Sequence, residues 1–483
     1  MKKLALSLLF LFQAVFVMAQ NQSTIKGKVV DSKSQSPLGS VKVMIQSDEQ
    51  FVTTNNLGEF QINGIIAGAQ TLVVSTNGYN TQNFAIEVVA GQTLDVGLMF
   101  LEEDITSEQQ LSLVTITEND LGDDNSGSES TAGLLQSSRD AYQQAAAFNW
   151  GQARFRMRGL DNEYGVTMIN GVSMNKIYDG RPQWSNWGGL NDATRNQEFT
   201  LGSSPSDYTF GGILGTQEIN TRASLYRKGT RISQSGTNTN YSWRTMITHN
   251  SGLMDNGWAY SISGSRRWAQ EGYFTGSDYG ANSFFASLEK RFNKNHSLNF
   301  TSIYAQNSRG KNSPNTKEVN DLMGIKYNSY WGYQNGQKRN SRDKDVEEPI
   351  LMLSHYWKMS DKTTLNTNVA YQTGSIGNSR LDYQTANSPD PTYYKNLPSY
   401  YYNLGDAAGA ASAQSYFLNN SQIDWNAMYI ANQNSVNAGK SVYALYEDRT
   451  DDKQITANSI LFSDLSDNIK LNAGASFKKL KSH

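Results

Sequence analysis

The sequence predicts a mainly β protein: an N-terminal β-sandwich, an α+β segment behind it, and the first part of a transmembrane antiparallel β-barrel. Three observations carry this expectation. Between residues 24 and 101, short stretches of period-two hydrophobicity alternate with turn residues. After Thr221 the alternating stretches lengthen to roughly ten residues, the length a tilted strand needs to cross a bilayer. Behind the first nineteen residues nothing is long and apolar enough for a membrane helix, which leaves either a soluble, periplasmic or secreted β-protein or a chain that crosses the membrane with strands, as a barrel.

The chain start reads as an export signal. Lys2 and Lys3 precede an apolar run from Leu4 to Val17, and Val17-Met18-Ala19 offers a small residue at the cleavage point. A secretory signal peptide over 1–19 is expected, with the mature chain starting near Gln20. The sequence holds no cysteine, which excludes a disulfide framework, a thiol nucleophile and a lipid-bearing Cys behind the signal. A net charge of −2 argues against nucleic acid as a partner, since that requires a basic surface.

From Thr24 to Leu101, strands are expected at Ile25 to Val30, Val41 to Ile45, around Phe60 and Ile62, Gln70 to Ser75, Phe84 to Val89 and Thr93 to Leu98. Asn55-Asn56-Leu57-Gly58 supplies residues that tolerate positive φ at a turn. About seven strands in so short a span reads as an antiparallel sandwich. The order Gly27-Lys28-Val29-Val30-Asp31, Pro37-Leu38, Asn56-Leu57-Gly58-Glu59-Phe60 and Asn77-Gly78-Tyr79 resembles the carboxypeptidase-regulatory-like domain. That resemblance speaks for a fold and not for chemistry, because the domain carries no catalytic residues of its own.

The segment 108–222 has three features. Leu111-Ser112-Leu113-Val114-Thr115-Ile116-Thr117 is a short extended stretch after an acidic run. Arg154-Phe155-Arg156-Met157-Arg158-Gly159-Leu160 precedes Val166-Thr167-Met168-Ile169-Asn170-Gly171-Val172, an apolar strand ending in a tight-turn pair. Gly202 to Ser206 and Gly211-Gly212 then lead into Glu218-Ile219-Asn220-Thr221, with Gly215-Thr216-Gln217 interposed. In this order the features resemble the plug of TonB-dependent outer-membrane receptors, some of which carry a carboxypeptidase-regulatory-like domain just before it. The resemblance implies that Arg158, Gly159, Asn170 and Gly171 form a structural motif of the plug, the arginines forking to carboxylates on an inner barrel wall. It gives Leu111, Leu113, Val114 and Ile116 two alternative roles: an edge gripped by the TonB energy-coupling protein through backbone pairing, or the first strand of the plug itself.

Residues 223–483 read as hairpins. Tyr241 to Asn250 and Trp258 to Trp268 flank Asp255-Asn256-Gly257; Ser283 to Phe292 and Ser297 to Gln306 flank Asn293 to His296; Ile350 to Met359 and Thr363 to Thr373 flank Ser360-Asp361-Lys362; Ile455 to Phe462 is followed by Ile469 to Phe477. A weaker first strand is expected near Leu225 to Ile232. The tight turns alternate with two long polar stretches, Ser308 to Pro349 and Gly374 to Lys440, the asymmetry of an outer-membrane barrel. These are about nine strands, whereas barrels of the resembled family close at about 22. The end, Phe477 to His483, lacks a terminal apolar strand with a final aromatic, so the chain is expected to be a fragment or a truncated reading frame of an incomplete barrel.

No active site is legible, and neither an enzyme nor a cofactor is expected. His249, His296, His355 and His483 are scattered without a second metal ligand at binding spacing. Asp343-Lys344-Asp345-Val346-Glu347-Glu348 reads as a solvated charge run and not a calcium loop, for want of a glycine at the sharp turn. Asn175, Tyr178, Trp184 and Trp187 follow the Asn170-Gly171 turn, where plugs of the family present apical loops, and are the candidate ligand contacts. The cluster Tyr393, Tyr394, Tyr400, Tyr401 and Tyr402 falls in the longest outer stretch. The expected function is TonB-dependent uptake of a glycan, peptide or metal chelate across the outer membrane of a Gram-negative bacterium. Its implied partners are TonB, outer-membrane lipid, the small nutrient ligand and the surface lipoprotein often found with such receptors. The alternative is a non-transporting barrel serving as a surface binding or assembly platform.

Overall fold

The computed structural model describes residues 23–102, 113–116 and 160–483, apart from breaks at 33–34, 47–50, 77–78, 80, 201, 203, 205, 238–240, 385, 435–439 and 467–468. The export signal, Leu111, Arg158 and Gly159 lie outside the described residues.

Seven strands build the first domain: β1 (Ser23–Asp31), β2 (Lys42–Ile45), β3 (Phe51–Thr53), β4 (Glu59–Ile65), β5 (Gly68–Ser75), β6 (Gln82–Val88) and β7 (Thr93–Leu101). They form two sheets, β4-β1-β7 and β3-β2-β5-β6. Alternate residues of both, including Ile25, Val43, Ile45, Ile62, Leu72, Val74, Ile86 and Met99, close over one core. Each such side chain contributes about 1.5–3 kcal/mol on burial. The turn before β4 is held as its residues suggest: Asn55 Oδ1 accepts from the N–H groups of Leu57 and Glu59, both at 2.9 Å. Gly58 there has φ 75°, and a Cβ would stand 2.3 Å from the Val29 carbonyl oxygen. The sandwich is not wholly antiparallel. β7 returns beside β1 in the same direction, because the chain crosses from the second sheet before its last strand.

Behind it, β8 (Leu113–Ile116), β9 (Val166–Ile169), β10 (Val172–Ser173), β11 (Gln197–Thr200) and β12 (Thr216–Ile219) form a small sheet in the order β10-β9-β12-β11-β8. β9 and β12 run parallel and the other neighbours antiparallel. Of the two roles open to the 113–116 stretch, pairing with β11 makes it a strand of this sheet, at its edge. Among the described residues, helical turns in this unit are the single 3₁₀ turns Asn162–Tyr164, Trp184–Trp187 and Ala223–Leu225.

The remaining sheet curves around this plug. Its strands are β13 (Gly229–Gly236), β14 (Trp243–Asn250), β15 (Trp258–Ala269), β16 (Tyr279–Arg291) and β17 (His296–Gly310). After a separate hairpin, β18 (Trp331–Gln334) and β19 (Gln337–Asn340), it continues with β20 (Asp343–Glu347), β21 (Ile350–Ser360), β22 (Thr363–Asp382), β23 (Ala444–Ser466) and β24 (Ile469–Ser482). All neighbours are antiparallel, and β13 and β24 stand at the two edges. β20 and β21 both lie between β17 and β22 and make one stave interrupted at Glu348-Pro349, where proline cannot donate to the ladder. Ten strands therefore give nine staves.

The polarity of this sheet is inverted relative to a soluble protein. Its inner face buries Thr248, Ser261, Ser283, Ser287, Asn299, Thr301, Ser354, Asn368 and Thr456, while Ile247, Ile262, Phe284, Leu288, Phe300, Leu353, Val369 and Ile455 are exposed on the outer face. Trp258 and Trp268 point outward from the two ends of β15. Their separation is roughly 33 Å along the strand, about 25 Å once a tilt of some 40° is allowed for. An apolar band of that height edged by aromatic residues matches a bilayer core.

The two long polar stretches hold regular structure that their composition did not announce. They carry α1 (Lys317–Met323), α2 (Pro398–Asn403), α3 (Ala407–Asn419) and α4 (Trp425–Gln433), besides the β18–β19 hairpin. Val319, Tyr327, Leu397 and Phe417 form one small core between the two stretches, and Arg339 stacks over Trp425 at 4.3 Å.

Candidate functional site

The functional geometry lies along the seam between plug and barrel wall. At its centre is the turn joining β9 to β10, where Asn170 and Gly171 have φ 49° and 77°, the pair of positive angles a tight hairpin demands. The Asn170 amide bridges to the plug's last residues: Oδ1 accepts from the Thr221 N–H at 2.7 Å, and Nδ2 donates to Thr221 Oγ1 at 2.8 Å. The Gly171 carbonyl accepts from Asn458 of β23. A Cβ on Gly171 would stand 2.9 Å from Ile460 Cδ1, so the turn fits against the wall only without a side chain.

Gly171 N–H donates to Glu218 Oε1 at 2.9 Å, under the same turn. Glu218 is buried and directly opposite Glu198 in the β11–β12 ladder. Burial pushes its carboxyl well above the usual carboxylate range; the Gly171 N–H opposes this and the Glu198 charge adds to it. Both acids, with Tyr208 and Arg222, line a cavity of about 2,700 Å³ that extends to Gln35 and Lys358. The sandwich meets the barrel rim there: Gln35 Oε1 accepts from Arg291 at 2.9 Å, and Ser36 Oγ accepts from Lys358.

Among the described residues two ion-pair clusters tie plug to wall, besides the single pair of Asp192 with Arg231 at 3.6 Å. Lys176, buried, donates to Glu348 and to Asp452 Oδ2 at 3.1 Å, and Asn186 Nδ2 donates to Glu348 Oε2 at 2.9 Å. Glu348 sits at the β20–β21 interruption, on the inward face it shares with Val346 and Ile350. The Asp343–Glu348 run is thus not a solvated charge run throughout, for its last member is buried and paired. The second cluster is at the plug's exit. Arg222 Nε and Nη2 reach Glu289 Oε1 at 2.8 and 2.7 Å, Nη2 also donates to Ser297 Oγ at 2.8 Å, and the Ser224 N–H takes Glu289 Oε2 at 2.9 Å. Arg154, Arg156 and Arg158, which the sequence offered as forks, lie outside the described residues; among the described residues Lys176 and Arg222 reach wall carboxylates.

The candidate ligand contacts separate by environment. Asn175 spends its amide on the backbone of its own loop: Oδ1 accepts from Thr167 N–H at 2.9 Å, and Nδ2 donates to the carbonyls of Gly165 and Gly180 at 2.8 and 2.7 Å. Trp187 is buried in the core joining plug to wall, with Trp184 edge-on at 5.7 Å. Tyr178 alone of the four exposes about half its surface. Burial of the remainder and the nearby Asp452 and Glu348 carboxylates push its phenol up, so it stays a neutral donor. In the outer stretch Tyr393, Tyr394, Tyr400 and Tyr401 form a chain of ring contacts at 4.7, 5.5 and 5.2 Å.

The histidines are not all scattered. β17 and β21 bring His296 Nδ1 and His355 Nε2 to 3.1 Å with parallel rings, and Trp357 stacks on His296 at 5.4 Å. A separation of 59 residues in sequence hid the pair. Among the described residues no group of three or more His, Asp or Glu is placed to hold a metal ion.

The sequence model of the CarboxypepD_reg-like domain family matches residues 25–111, the sandwich and the ten residues after it. No curated protein sequence matches the chain. Among solved structures, the siderophore receptor PiuA from Acinetobacter baumannii is similar at 15% identity and a TM-score of 0.40, covering 68% of this chain and 39% of that one. A mutant of the ferric enterobactin receptor PfeA from Pseudomonas aeruginosa is similar at 13% identity and a TM-score of 0.42, covering 78% and 51%. The ferric-catecholate import receptor Fiu from E. coli K12 is similar at 12% identity and a TM-score of 0.41, covering 67% and 43%. The chain spans about half or less of the length of these receptors, between 39% and 51%.

Proposed function

We propose that the chain is an exported outer-membrane barrel receptor whose plug gates energy-coupled uptake of a small nutrient ligand, a glycan, peptide or metal chelate. The observation that carries this reading is the inverted sheet, apolar outside and polar inside, wrapped around a plug held by buried ion pairs. Lipid is the partner that suits the outer face. Tyr178, exposed beside the Lys176 cluster, is the plug residue best placed to report ligand to the seam. β8 ends the plug sheet and offers a backbone edge to a TonB-type coupling protein, Leu113, Val114 and Ile116 of that strand being the candidate contacts together with Leu111, which lies outside the described residues. A surface lipoprotein would meet the outer stretches.

A second reading, a surface binding platform without transport, is favoured by the folded outer cap, where Tyr402, Tyr416 and Tyr429 are exposed. One experiment separates the two. The chain has no cysteine of its own, so Asp207→Cys in the plug with Asn472→Cys on β24, whose side chains meet at 2.8 Å, can be bridged by a cleavable bifunctional thiosulfonate. Uptake should stop on bridging and return on reduction, with ligand binding intact throughout. Undiminished uptake in the bridged protein would overturn the gating role, and binding without any uptake before bridging would favour the platform.

A further inference from the structure

At the tight-turn ends of β17 and β21, His296, Leu298, His355 and Trp357 lie on the outer face, continuing the alternation that exposes Phe300 and Leu353. His296 directly follows the turn built on Asn293, so the group stands at the rim and not in the middle of the apolar band. The register carries one row across four staves: His355 is opposite Leu298, Leu298 opposite Lys290, and Lys290 opposite Trp258. Both histidines are partly exposed.

The two histidines meet in line. Their ring centroids are 5.3 Å apart with planes 3° from parallel, nearly the largest separation open to two imidazoles joined N to N at 3.1 Å. One ring therefore donates along that line and the other accepts, and no two lone pairs converge on a metal ion. Trp357 stacks on His296 and fixes its plane. His296 Nε2 and His355 Nδ1 are left outside the shared bond. In the neutral pair one of these is a donor and the other an acceptor; one added proton makes both donors and gives the pair a positive charge. A phosphate diester, which offers only acceptors and a negative charge, suits that state.

The charges around the pair agree. Lys290 is on the neighbouring stave, its ammonium 5.0 Å from the Trp258 ring, and Lys294 is in the adjoining turn. β22 faces the pair with Leu365 and Thr367, both uncharged. Of the acids in the flanking turns, Asp361 is engaged by Lys358 at 2.8 Å and Asp255 lies beyond Trp258. The sandwich reaches this rim through the uncharged Gln35 and Ser36, on the inward residues Arg291 and Lys358.

We propose that His296 and His355, with Lys290 and the flanking Trp258 and Trp357, form a headgroup site for an anionic phospholipid, gripped more tightly once the histidine pair takes up a proton. The inference rests on the reading of the outer face as lipid-facing. Aromatic rings at the membrane–water interface would hold the headgroup level while the pair supplies the donors.

The test is quenching of tryptophan fluorescence by phospholipids with brominated chains, titrated into the full chain in detergent micelles. Phosphatidylglycerol is expected to bind roughly fivefold more tightly at about pH 5.5 than at about pH 8, the range in which imidazole takes up its proton. Phosphatidylcholine, whose headgroup cancels its own charge, should show no such change. The double variant His296→Gln with His355→Gln should lose the pH dependence. His249→Gln should keep it, because that ring is already engaged by Thr230 at 2.7 Å and Tyr260 at 3.4 Å. Should the double variant fail to fold, the wild-type comparison of the two lipids at the two pH values decides alone. Equal affinity for both lipids at low pH, a pH dependence that survives the double variant, or displacement of the lipid by inorganic phosphate at equal concentration would overturn the proposal. Quenching by neither lipid would overturn it together with the lipid-facing reading beneath it.

Discussion

Lys176 of the plug and Asp452 of the barrel wall meet at 3.1 Å, 276 residues apart in sequence and almost wholly shielded from water. Together with Glu348 they place one cation between two carboxylates, a set that is stable only while all three members are present. Buried ion pairs add little net stability compared with apolar contacts, but losing one partner leaves uncompensated charge. Such a contact therefore works as a latch.

Lys176→Met is expected to destabilise the seated plug by about 3–5 kcal/mol, since Glu348 and Asp452 then lose the cation between them. Adding Glu348→Gln and Asp452→Asn should recover a large part of that loss. Urea unfolding of the three proteins, followed by tryptophan fluorescence from Trp184 and Trp187, measures both changes. A single variant as stable as wild type would show that water or a neighbour already compensates the carboxylates.

Glu218 makes the plug sensitive to pH. Its carboxyl titrates well above the value of an unfolded chain, chiefly because burial disfavours the charged form. A folded-state value raised above the unfolded one means that the contribution to stability is complete below the unfolded value, near 4.5, and is lost as pH rises through the folded value. Glu218→Gln keeps the neutral form at every pH, so it should flatten this decline and exceed wild type in stability on the alkaline side. Melting temperatures of both proteins across the acid-to-alkaline range decide it; parallel curves would remove Glu218 as the source.

Gly171→Ala combines two costs. The residue must hold φ 77°, and its Cβ would press on Ile460 Cδ1 at 2.9 Å. A loss of about 1–3 kcal/mol is expected. Adding Ile460→Val should relieve the contact while leaving the backbone cost, so the double variant should be partly recovered in the same urea titration.

The parts of this molecule that were legible in sequence are those whose cause is local. Asn170-Gly171 reads as a turn because two consecutive residues accept positive φ, and the staves read as strands because period two survives whichever face is polar. The seam was not legible. Lys176 finds Glu348 across 172 residues, a pairing that depends on how the plug seats in the wall. That Trp187 lies in the core between plug and wall is not readable from its neighbours in sequence, and the His296–His355 pair depends on the β17–β21 register. The outer helices had local signals that a polar composition masked: Thr316, Asp406 and Asp424 each cap a helix by accepting the N–H three residues on, from Val319, Gly409 and Ala427.

The outer face offers the most direct check on the membrane reading. Ile262 lies near the middle of β15, between the outward tryptophans Trp258 and Trp268, where the apolar band should be deepest. Ile262→Arg should cost about 2–4 kcal/mol for folding into lipid vesicles, because no water or counter-charge is available at that depth. Lys290, near the rim where its ammonium lies 5.0 Å from the Trp258 ring, already tolerates a charge. Leu288 stands between the two levels, two residues closer to that rim than Ala286, the register partner of Ile262. Leu288→Arg should therefore cost less than Ile262→Arg. Equal costs at the two positions, or no cost at Ile262, would mean that this face meets water instead of lipid.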